Sequence, residues 1–171
     1  RGDSVHEAFG ADYELPNRTA YNETCANIGN AMWNWRMLQI TGDARYADAM
    51  ETVLYNSALS AVSVTGHDFF YANPLQWNGR SGWPTKHFTE TRWFVHSCYC
   101  CPPQVARTLA GLGRWAYGVS ADGVWVHLYG GSILKTQLPD GSSVGLTQET
   151  DYPWDGHVKI TLTQAPTQPC A

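Results

Sequence analysis

The sequence predicts an α + β multidomain protein, because helical periodicity in its first part gives way to strand periodicity near residue 120. Hydrophobic residues make up 43% of the 171 residues and charged residues 15%, which is typical of a globular chain. Helices come first and strands second, so we expect two domains or subdomains that meet near residue 120.

The first predicted helix begins around residues 22–24 and ends at Gly42, a residue type that commonly stops helices. Its apolar positions recur at spacings of three and four, which is the amphipathic pattern of a helix. These positions are Ile28, Met32, Trp35 and Leu38.

Two more helices are predicted in this part of the chain. The second spans about 44–61, and Glu51 falls inside its apolar stripe, where a carboxylate must be partnered or functional. The third begins at Pro102 and Pro103, which suit a first helical turn, and runs to about Tyr117.

Strand patterns take up much of the remaining sequence. "VSVTGHDFFY" predicts a short hairpin that turns at Thr65 and Gly66, and residues 73–92 form a long loop of the kind that often lines sites. After residue 120 three segments alternate with a period of two, and "LPDGSS" forms a turn between them. The three segments are "VWVHLYG", "SILKTQL" and "HVKITLT".

Composition excludes several classes of protein. The net charge of −4 argues against a nucleic-acid binder, and no apolar run approaches the roughly 20 residues that span a bilayer. No signal peptide is visible, and the chain begins with Arg1 and stops at "TQPCA", so we expect a piece of a longer protein. The eight Trp and nine Tyr residues fit a filled core or rings that stack on sugars.

The cysteines are odd in number and clustered. They are Cys25, Cys98, Cys100, Cys101 and Cys170. Adjacent cysteines rarely bond each other because of ring strain, so the set favours metal ligation or chemistry over a secreted disulfide scaffold. Reduced, metal-bound thiols in turn favour a cytoplasmic location.

Two pairs of candidate ligands lie at predicted helix starts. Glu23 and Cys25 open the first helix, and Cys100 and Cys101 precede the third. Three thiolates and one carboxylate form a plausible tetrahedral zinc site. A zinc staple that only fixes the fold explains the spacing equally well, and buried inert thiols are a weaker explanation.

A catalytic thiolate is the other interpretation of the cluster. A helix N-terminus and a bound metal both lower the pKa of a thiol, and the thiolate can attack an electrophilic carbon. If that carbon is anomeric, a carboxylic acid must protonate the departing oxygen. Glu7 is a candidate, although a lone glutamate in such a loop is more often a solvated residue. A redox protein is less favoured, because no C-x-x-C motif lies in a thioredoxin-like setting and Cys98-Tyr99-Cys100 is a C-x-C pair.

Four segments together resemble glycoside hydrolase family 127, whose best-known activity is that of a β-L-arabinofuranosidase with a zinc-bound cysteine nucleophile. They are "HEAFGADYELPNRTAYNETCANIGNAMWNWRML", "YADAMETVLYN", "FFYANPL" and "CYCCPPQVARTLAGL", and the likeness runs from about residue 1 to 165. The resemblance implies the later part of an (α/α)6 barrel over residues 1–119, followed by the start of a β-sandwich over residues 120–171.

The resemblance also implies roles for individual residues. Glu7 corresponds to the general acid/base and Cys100 to the nucleophile, whereas Cys98 receives no ligand role. The residues that correspond to the ligands of a zinc ion (Zn2+) are Glu23, Cys25, Cys100 and Cys101. Those that match positions at the sugar are Glu51, Tyr71 and Thr24.

The implied activity is retaining hydrolysis of plant-type arabinosides with release of β-L-arabinofuranose. A carbohydrate is therefore the expected partner, with neither nucleic acid nor membrane. The chain departs from its relatives at Gln104, where they usually carry Asn, and histidines from the earlier half of the family lie outside it. The alternative is a noncatalytic zinc-stapled domain that binds carbohydrate through its aromatic residues. Glu7 discriminates between the glycosidase and the noncatalytic domain, because a purely structural site has no use for a carboxylic acid aimed at Cys100.

Overall fold

The chain forms two compact units, Arg1–Ala110 and Gly111–Ala171, in a computed structural model. The first unit is helical and the second consists mainly of antiparallel strands, which agrees with the predicted α + β class. No described helix is both long and apolar enough to cross a membrane. The structure describes residues 10–17, 20–73, 75–76, 90–94 and 98–166.

Helix α1 spans Thr24–Thr41 and agrees with the predicted first helix. It ends at Gly42, whose φ of 67° is left-handed and whose backbone N–H donates to the Leu38 carbonyl at 2.8 Å. Met32 is 46% exposed, so its predicted place on the buried face is wrong. The buried face consists of Thr24, Ile28, Ala31, Asn34 and Leu38.

Helix α2 spans Arg45–Val53 and continues as a π-helical turn over Leu54–Ala58. The predicted helix over 44–61 is therefore helical over most of its length, with a π-helical part over Leu54–Ala58 and turns over residues 59–61. Ala58 on this turn packs in one buried cluster with Ile28 of α1 and with Val105 further along the chain. The turn thus joins the long helices in the core of the first unit.

The segment after α2 makes isolated bridges where the sequence predicts a hairpin. Val62 pairs with Phe69, and Gly66 turns the chain with a φ of 76°. Phe69 also pairs with Trp93. The predicted turn at Thr65 and Gly66 is confirmed. The two strands predicted on either side of it are replaced by the single bridge between Val62 and Phe69. Of the predicted loop over 73–92, residues 74 and 77–89 lie outside the described residues.

Helix α3 spans Cys101–Gly111, and a 3₁₀ turn follows over Leu112–Arg114. The predicted end near Tyr117 is wrong, because Tyr117 already begins a strand. Gly111 and Gly113 explain the early end, since glycine disfavours helix by roughly 1 kcal/mol relative to alanine.

The second unit contains a two-stranded and a three-stranded antiparallel sheet, ordered β1-β2 and β3-β4-β5. The strands are β1 Tyr117–Ser120, β2 Gly123–Val126, β3 Ser132–Gln137, β4 Ser143–Thr150 and β5 Val158–Gln164. Strands β3 and β5 and the turn between β3 and β4 agree with the sequence prediction. Strand β2 ends at Val126, although the predicted strand continues to Gly130. Strands β1 and β4 were not predicted.

Candidate metal centre and active site

Two helix starts and one extended segment build the candidate site. The segment at Tyr71 and Ala72 lies against the start of α1, where Thr24 donates its backbone N–H to the Tyr71 carbonyl at 2.9 Å and Glu23 bridges Ala72. Helix α3 begins at Cys101, directly after Cys100. This arrangement brings sulfur and carboxylate ligands from two parts of the chain to one point, with the segment at Tyr71 packed beside them.

The four predicted ligands come together. One donor atom from each of Glu23, Cys25, Cys100 and Cys101 lies within 4.8 Å of all the others. Cys100 Sγ is 3.6 Å from Cys25 Sγ, 3.8 Å from Cys101 Sγ and 3.9 Å from Glu23 Oε1. Cys101 Sγ is 4.0 Å from the same carboxylate oxygen. The cluster could hold a metal ion.

These spacings fit a tetrahedral metal with sulfur ligands. Zinc–sulfur bonds of about 2.3 Å give a tetrahedron whose sulfur–sulfur edges are about 3.8 Å. The edges from Cys100 to Cys25 and to Cys101 are 3.6 and 3.8 Å. Zinc–oxygen bonds are slightly shorter, so a carboxylate oxygen would be expected about 3.6 Å from the sulfurs, and 3.9 and 4.0 Å are observed for Glu23. Little movement would bring the donors into coordination.

The cluster is shielded from solvent on one side. Cys101 is buried in one apolar cluster with Tyr21, Tyr71 and Ala72, against which Cys25 and Cys100 pack. Glu23 is only 4% exposed. A buried carboxylate beside three thiols is costly unless it is compensated, and metal coordination is one way to compensate it.

The thiols influence one another's ionisation. Hydrogen bonding from Cys101, and also from Cys100, lowers the pKa of Cys25 to about 7. Burial raises the pKa of Cys100 to about 11. Hydrogen bonding to Cys25, together with burial, raises the pKa of Cys101. Ionisation is therefore favoured at Cys25 and opposed at Cys100 and Cys101, and a bound cation would favour the thiolate form of all three residues.

Tyr71 is placed at the sulfurs. Its hydroxyl oxygen accepts a hydrogen bond from the Cys100 thiol at 3.4 Å and donates to Cys98 Sγ at 3.6 Å. Burial raises the pKa of Tyr71, so the phenol stays protonated and keeps its donor. The sequence assigned Tyr71 to the sugar, and its contact with two cysteine sulfurs was not foreseen.

The other predicted residues lie outside the donor cluster. Thr24 is buried, and its hydroxyl donates to the Phe70 carbonyl at 2.9 Å. Glu51 is half-buried on α2, where its charge helps to raise the pKa of Tyr55, after the larger effect of burial. Glu7 lies outside the described residues. Of the predicted sugar-contacting residues, the structure thus brings Tyr71 to Cys100.

An open cavity of about 910 Å³ adjoins the first turns of α1. Its wall includes Glu23, Asn27 and Trp33, which lie along one side of the helix. Asn27 and Trp33 lie inside the first of the four family segments, but they are off the predicted apolar positions and the sequence assigned them no role. Of the four donor residues, Glu23 lines this cavity.

The chain combines a helical unit, a following β unit and a Glu-Cys-Cys-Cys donor set. Comparison with protein families identifies the class of protein that shares these features. The model of the "Beta-L-arabinofuranosidase, GH127 catalytic domain" matches residues 2–114. The model of the corresponding "GH127 middle domain" matches residues 123–171. The chain belongs to glycoside hydrolase family 127.

Individual relatives agree with the family match. A "Non-reducing end beta-L-arabinofuranosidase" of Bifidobacterium longum subsp. longum is 34% identical over 163 residues, covering 93% of this chain and 24% of that protein. A solved structure named "Glycoside hydrolase" is 46% identical with a TM-score of 0.86, over 96% of this chain and 27% of its own. A GH127 β-L-arabinofuranosidase from Geobacillus stearothermophilus T6 is 44% identical with a TM-score of 0.81, over 91% and 25%. The chain thus spans about a quarter of each relative.

Proposed function

We propose that the protein containing this chain is a retaining, zinc-dependent glycoside hydrolase that releases β-L-arabinofuranose from arabinosides. The observation that carries the proposal is the donor cluster, in which Cys100 Sγ lies within 4 Å of Cys25, Cys101 and Glu23. The β-L-arabinofuranosidase names of two relatives support the substrate class. A thiolate in such a cluster is suited to nucleophilic catalysis.

In the first step, the Cys100 thiolate attacks the anomeric carbon and the glycosidic carbon–oxygen bond breaks. Glu7 acts as a carboxylic acid and transfers its proton to the departing oxygen. The product is a thioglycosyl intermediate on Cys100, and Glu7 is left as a carboxylate.

In the second step, the Glu7 carboxylate takes a proton from water as the water oxygen attacks the anomeric carbon. The carbon–sulfur bond breaks, the sugar leaves with its original anomeric configuration, and the Cys100 thiolate is restored. Two inversions at one carbon make the overall reaction retaining.

Glu23, Cys25, Cys100 and Cys101 would hold the zinc ion. When bound, zinc keeps the thiol of Cys100 ionised at neutral pH. The protein contributes the position of the sulfur, because Cys100 is fixed by the start of α3 and by its hydrogen bond to Tyr71.

We assign sugar contacts to Glu51, Tyr71 and Thr24. The Tyr71 hydroxyl is adjacent to the nucleophile, so it can reach a hydroxyl group of a sugar bound at Cys100. The Thr24 hydroxyl is already donated to Phe70, so Thr24 acts by shaping the wall beside Cys25. Glu51 would accept hydrogen bonds from sugar hydroxyls as a carboxylate.

We also propose the architecture of the whole enzyme. Residues 1–119 would form the later part of an (α/α)6 barrel, and residues 120–171 would begin a β-sandwich. The helical first unit and the antiparallel second unit support this assignment.

The test uses the full-length protein, its zinc content and its hydrolysis of an aryl β-L-arabinofuranoside. We expect Cys100→Ser to abolish turnover. Glu7→Gln should lose much more activity on an alkyl arabinoside than on a nitrophenyl one, because a nitrophenolate leaves without protonation. Glu149→Gln is the matched control, since Glu149 pairs with Lys159 on an exposed face of the β unit.

A zinc-bound protein that cleaves no furanoside or pyranoside would contradict the proposal. It would instead support the noncatalytic zinc-stapled domain. Retention is checked separately by NMR of the first-formed sugar anomer, and inversion would exclude Cys100 as the nucleophile.

A further inference from the structure

Cys98 is a thiol that the proposed reaction does not use. It is exposed, whereas the four members of the donor cluster are half-buried or buried. Its sulfur lies 4.0 Å from Cys100 Sγ and accepts a hydrogen bond from Tyr71 at 3.6 Å. An exposed sulfur thus lies next to the proposed nucleophile, outside the metal ligands.

We propose that Cys98 and Cys100 form a reversible disulfide when the protein meets a peroxide, and that this bond releases the metal and blocks the nucleophile. The inference deepens the proposed function, because it takes from that function that Cys100 is the metal-bound thiolate. A disulfide requires the two sulfurs, which lie 4.0 Å apart, to approach to about 2.05 Å.

The chemistry is balanced with hydrogen peroxide as the oxidant. The Cys98 thiolate attacks one peroxide oxygen, the oxygen–oxygen bond breaks, and hydroxide leaves, so that Cys98 becomes a sulfenic acid. The Cys100 thiolate then attacks the Cys98 sulfur, the sulfur–oxygen bond breaks, and a second hydroxide leaves. The Cys98 thiol and the Cys100 thiolate lose two electrons and form the disulfide, and hydrogen peroxide accepts these electrons and becomes two hydroxides. The proton that left Cys98 converts one hydroxide to water, and the solvent protonates the other.

Exposure favours Cys98 over closer partners of Cys100. Cys25 Sγ at 3.6 Å and Cys101 Sγ at 3.8 Å are nearer to Cys100. Both belong to the donor cluster, where a bound metal would hold the sulfurs apart as ligands. A bond between the neighbours Cys100 and Cys101 is further opposed by ring strain. Among the described cysteines, Cys98 alone combines proximity with access for a peroxide.

The disulfide between Cys98 and Cys100 can be detected without any glycosidase assay. The zinc-loaded full-length protein is treated with hydrogen peroxide while a chromogenic chelator follows zinc release. Remaining thiols are blocked with iodoacetamide, disulfides are reduced, and the new thiols are labelled with N-ethylmaleimide. Trypsin places Cys98, Cys100 and Cys101 in one peptide, residues 93–107, in which fragmentation locates each label.

We expect maleimide on Cys98 and Cys100 and iodoacetamide on Cys25 and Cys101. Cys98→Ser and Cys98→Ala should both bind zinc normally and release it several-fold more slowly. The control Cys170→Ser also removes one thiol but should release zinc at the wild-type rate. A reductant with added zinc should restore the metal to the oxidised wild-type protein.

Two results would overturn the proposal. One is maleimide on Cys25 or Cys101 together with Cys100 while Cys98 carries iodoacetamide. The other is zinc release from both Cys98 variants at the wild-type rate. A protein that oxidises as expected and yet cleaves no arabinoside would overturn the proposed function and leave this inference standing.

Discussion

The hydroxyl oxygen of Tyr71 lies 3.4 Å from the sulfur of Cys100. This contact links the extended segment after α2 to the residue just before α3. As a protonated phenol, Tyr71 can donate its hydrogen to a Cys100 thiolate once a metal has ionised that thiol. Tyr71 is thus in a position to orient the nucleophile as well as to meet the sugar.

Tyr71→Phe should lower kcat without emptying the metal site. A hydrogen bond to a charged group contributes about 1.5–3 kcal/mol, which corresponds to a loss of roughly 10- to 150-fold. The measurement is kcat and KM on an aryl arabinoside, with zinc content determined on the same sample. Tyr46→Phe is the matched control, because Tyr46 contacts Arg45 and Trp33 and none of the sulfurs. An unchanged kcat for Tyr71→Phe would remove the orienting role.

Cys101→Ser should weaken metal binding more than it alters the fold around it. Cys101 is fully buried, and its sulfur lies within 4.0 Å of Cys100 and Glu23, so a serine keeps the volume and loses a thiolate ligand. We expect zinc to be lost on dialysis against a chelator that leaves the wild-type protein loaded. The zinc content and the Tm of the wild-type protein and of Cys101→Ser are measured, each with and without added zinc.

The same experiment tests whether the site stabilises the fold. If zinc joins α1 to α3 through the four ligands, chelation should lower the Tm of the wild-type protein and leave Cys101→Ser almost unaffected. An equal fall of Tm in both proteins would mean that the chelator acts elsewhere.

Thr24→Val should reduce stability through one hydrogen bond. The Thr24 hydroxyl donates to the Phe70 carbonyl at 2.9 Å, and Thr24 is 1% exposed. Valine has the same shape but no donor, so the carbonyl loses a buried partner at a cost of about 1–3 kcal/mol. Urea unfolding measures this cost. Thr161→Val on exposed β5 is the control, and an equal change in both variants would assign the effect to the substitution type.

The sequence reveals the residues of the site that belong to recognisable motifs. It does not reveal contacts between residues that are far apart in the chain. The grouping of Glu23, Cys25, Cys100 and Cys101 follows from helix starts and family motifs, and the structure brings their donor atoms together. The contact of Tyr71 with the sulfurs depends on how the segment around it folds against α1, and no local pattern carries that information. Local signals identified the ligands, and tertiary packing supplied Tyr71.

The fold shows a similar division. Gly42 marks the end of α1 through its own backbone conformation, which is a local property and was predicted. Strand β4 was missed because it does not alternate. Val144, Gly145 and Leu146 are all buried, and the register with β5 shifts between Gly145 and Leu146. Such an irregularity breaks the period of two on which strand prediction depends.

His127 should make the β unit less stable in mild acid. Burial lowers the pKa of His127 in the folded chain, whereas an unfolded histidine titrates near about 6.5. Between the two pKa values the unfolded state binds more protons, so the free energy of unfolding falls as pH drops below about 6.5. The contribution of His127 is constant above that range. His127→Gln should flatten this part of the stability–pH curve, and an unchanged curve would assign the effect to other groups.

Gly118→Ala tests the packing of the same histidine. A Cβ on Gly118 would lie 2.6 Å from His127 Nε2 and 3.3 Å from Cε1, so the imidazole must turn out of its half-buried place. Overpacking of this kind costs about 1–3 kcal/mol, and we expect a lower Tm. Gly156→Ala is the matched control, because a Cβ there meets no atom within 4 Å. The double variant Gly118→Ala/His127→Ala should recover part of the loss, since the smaller side chain vacates the space. If the double variant is as unstable as the sum of the two single variants, the clash with His127 is not the cause.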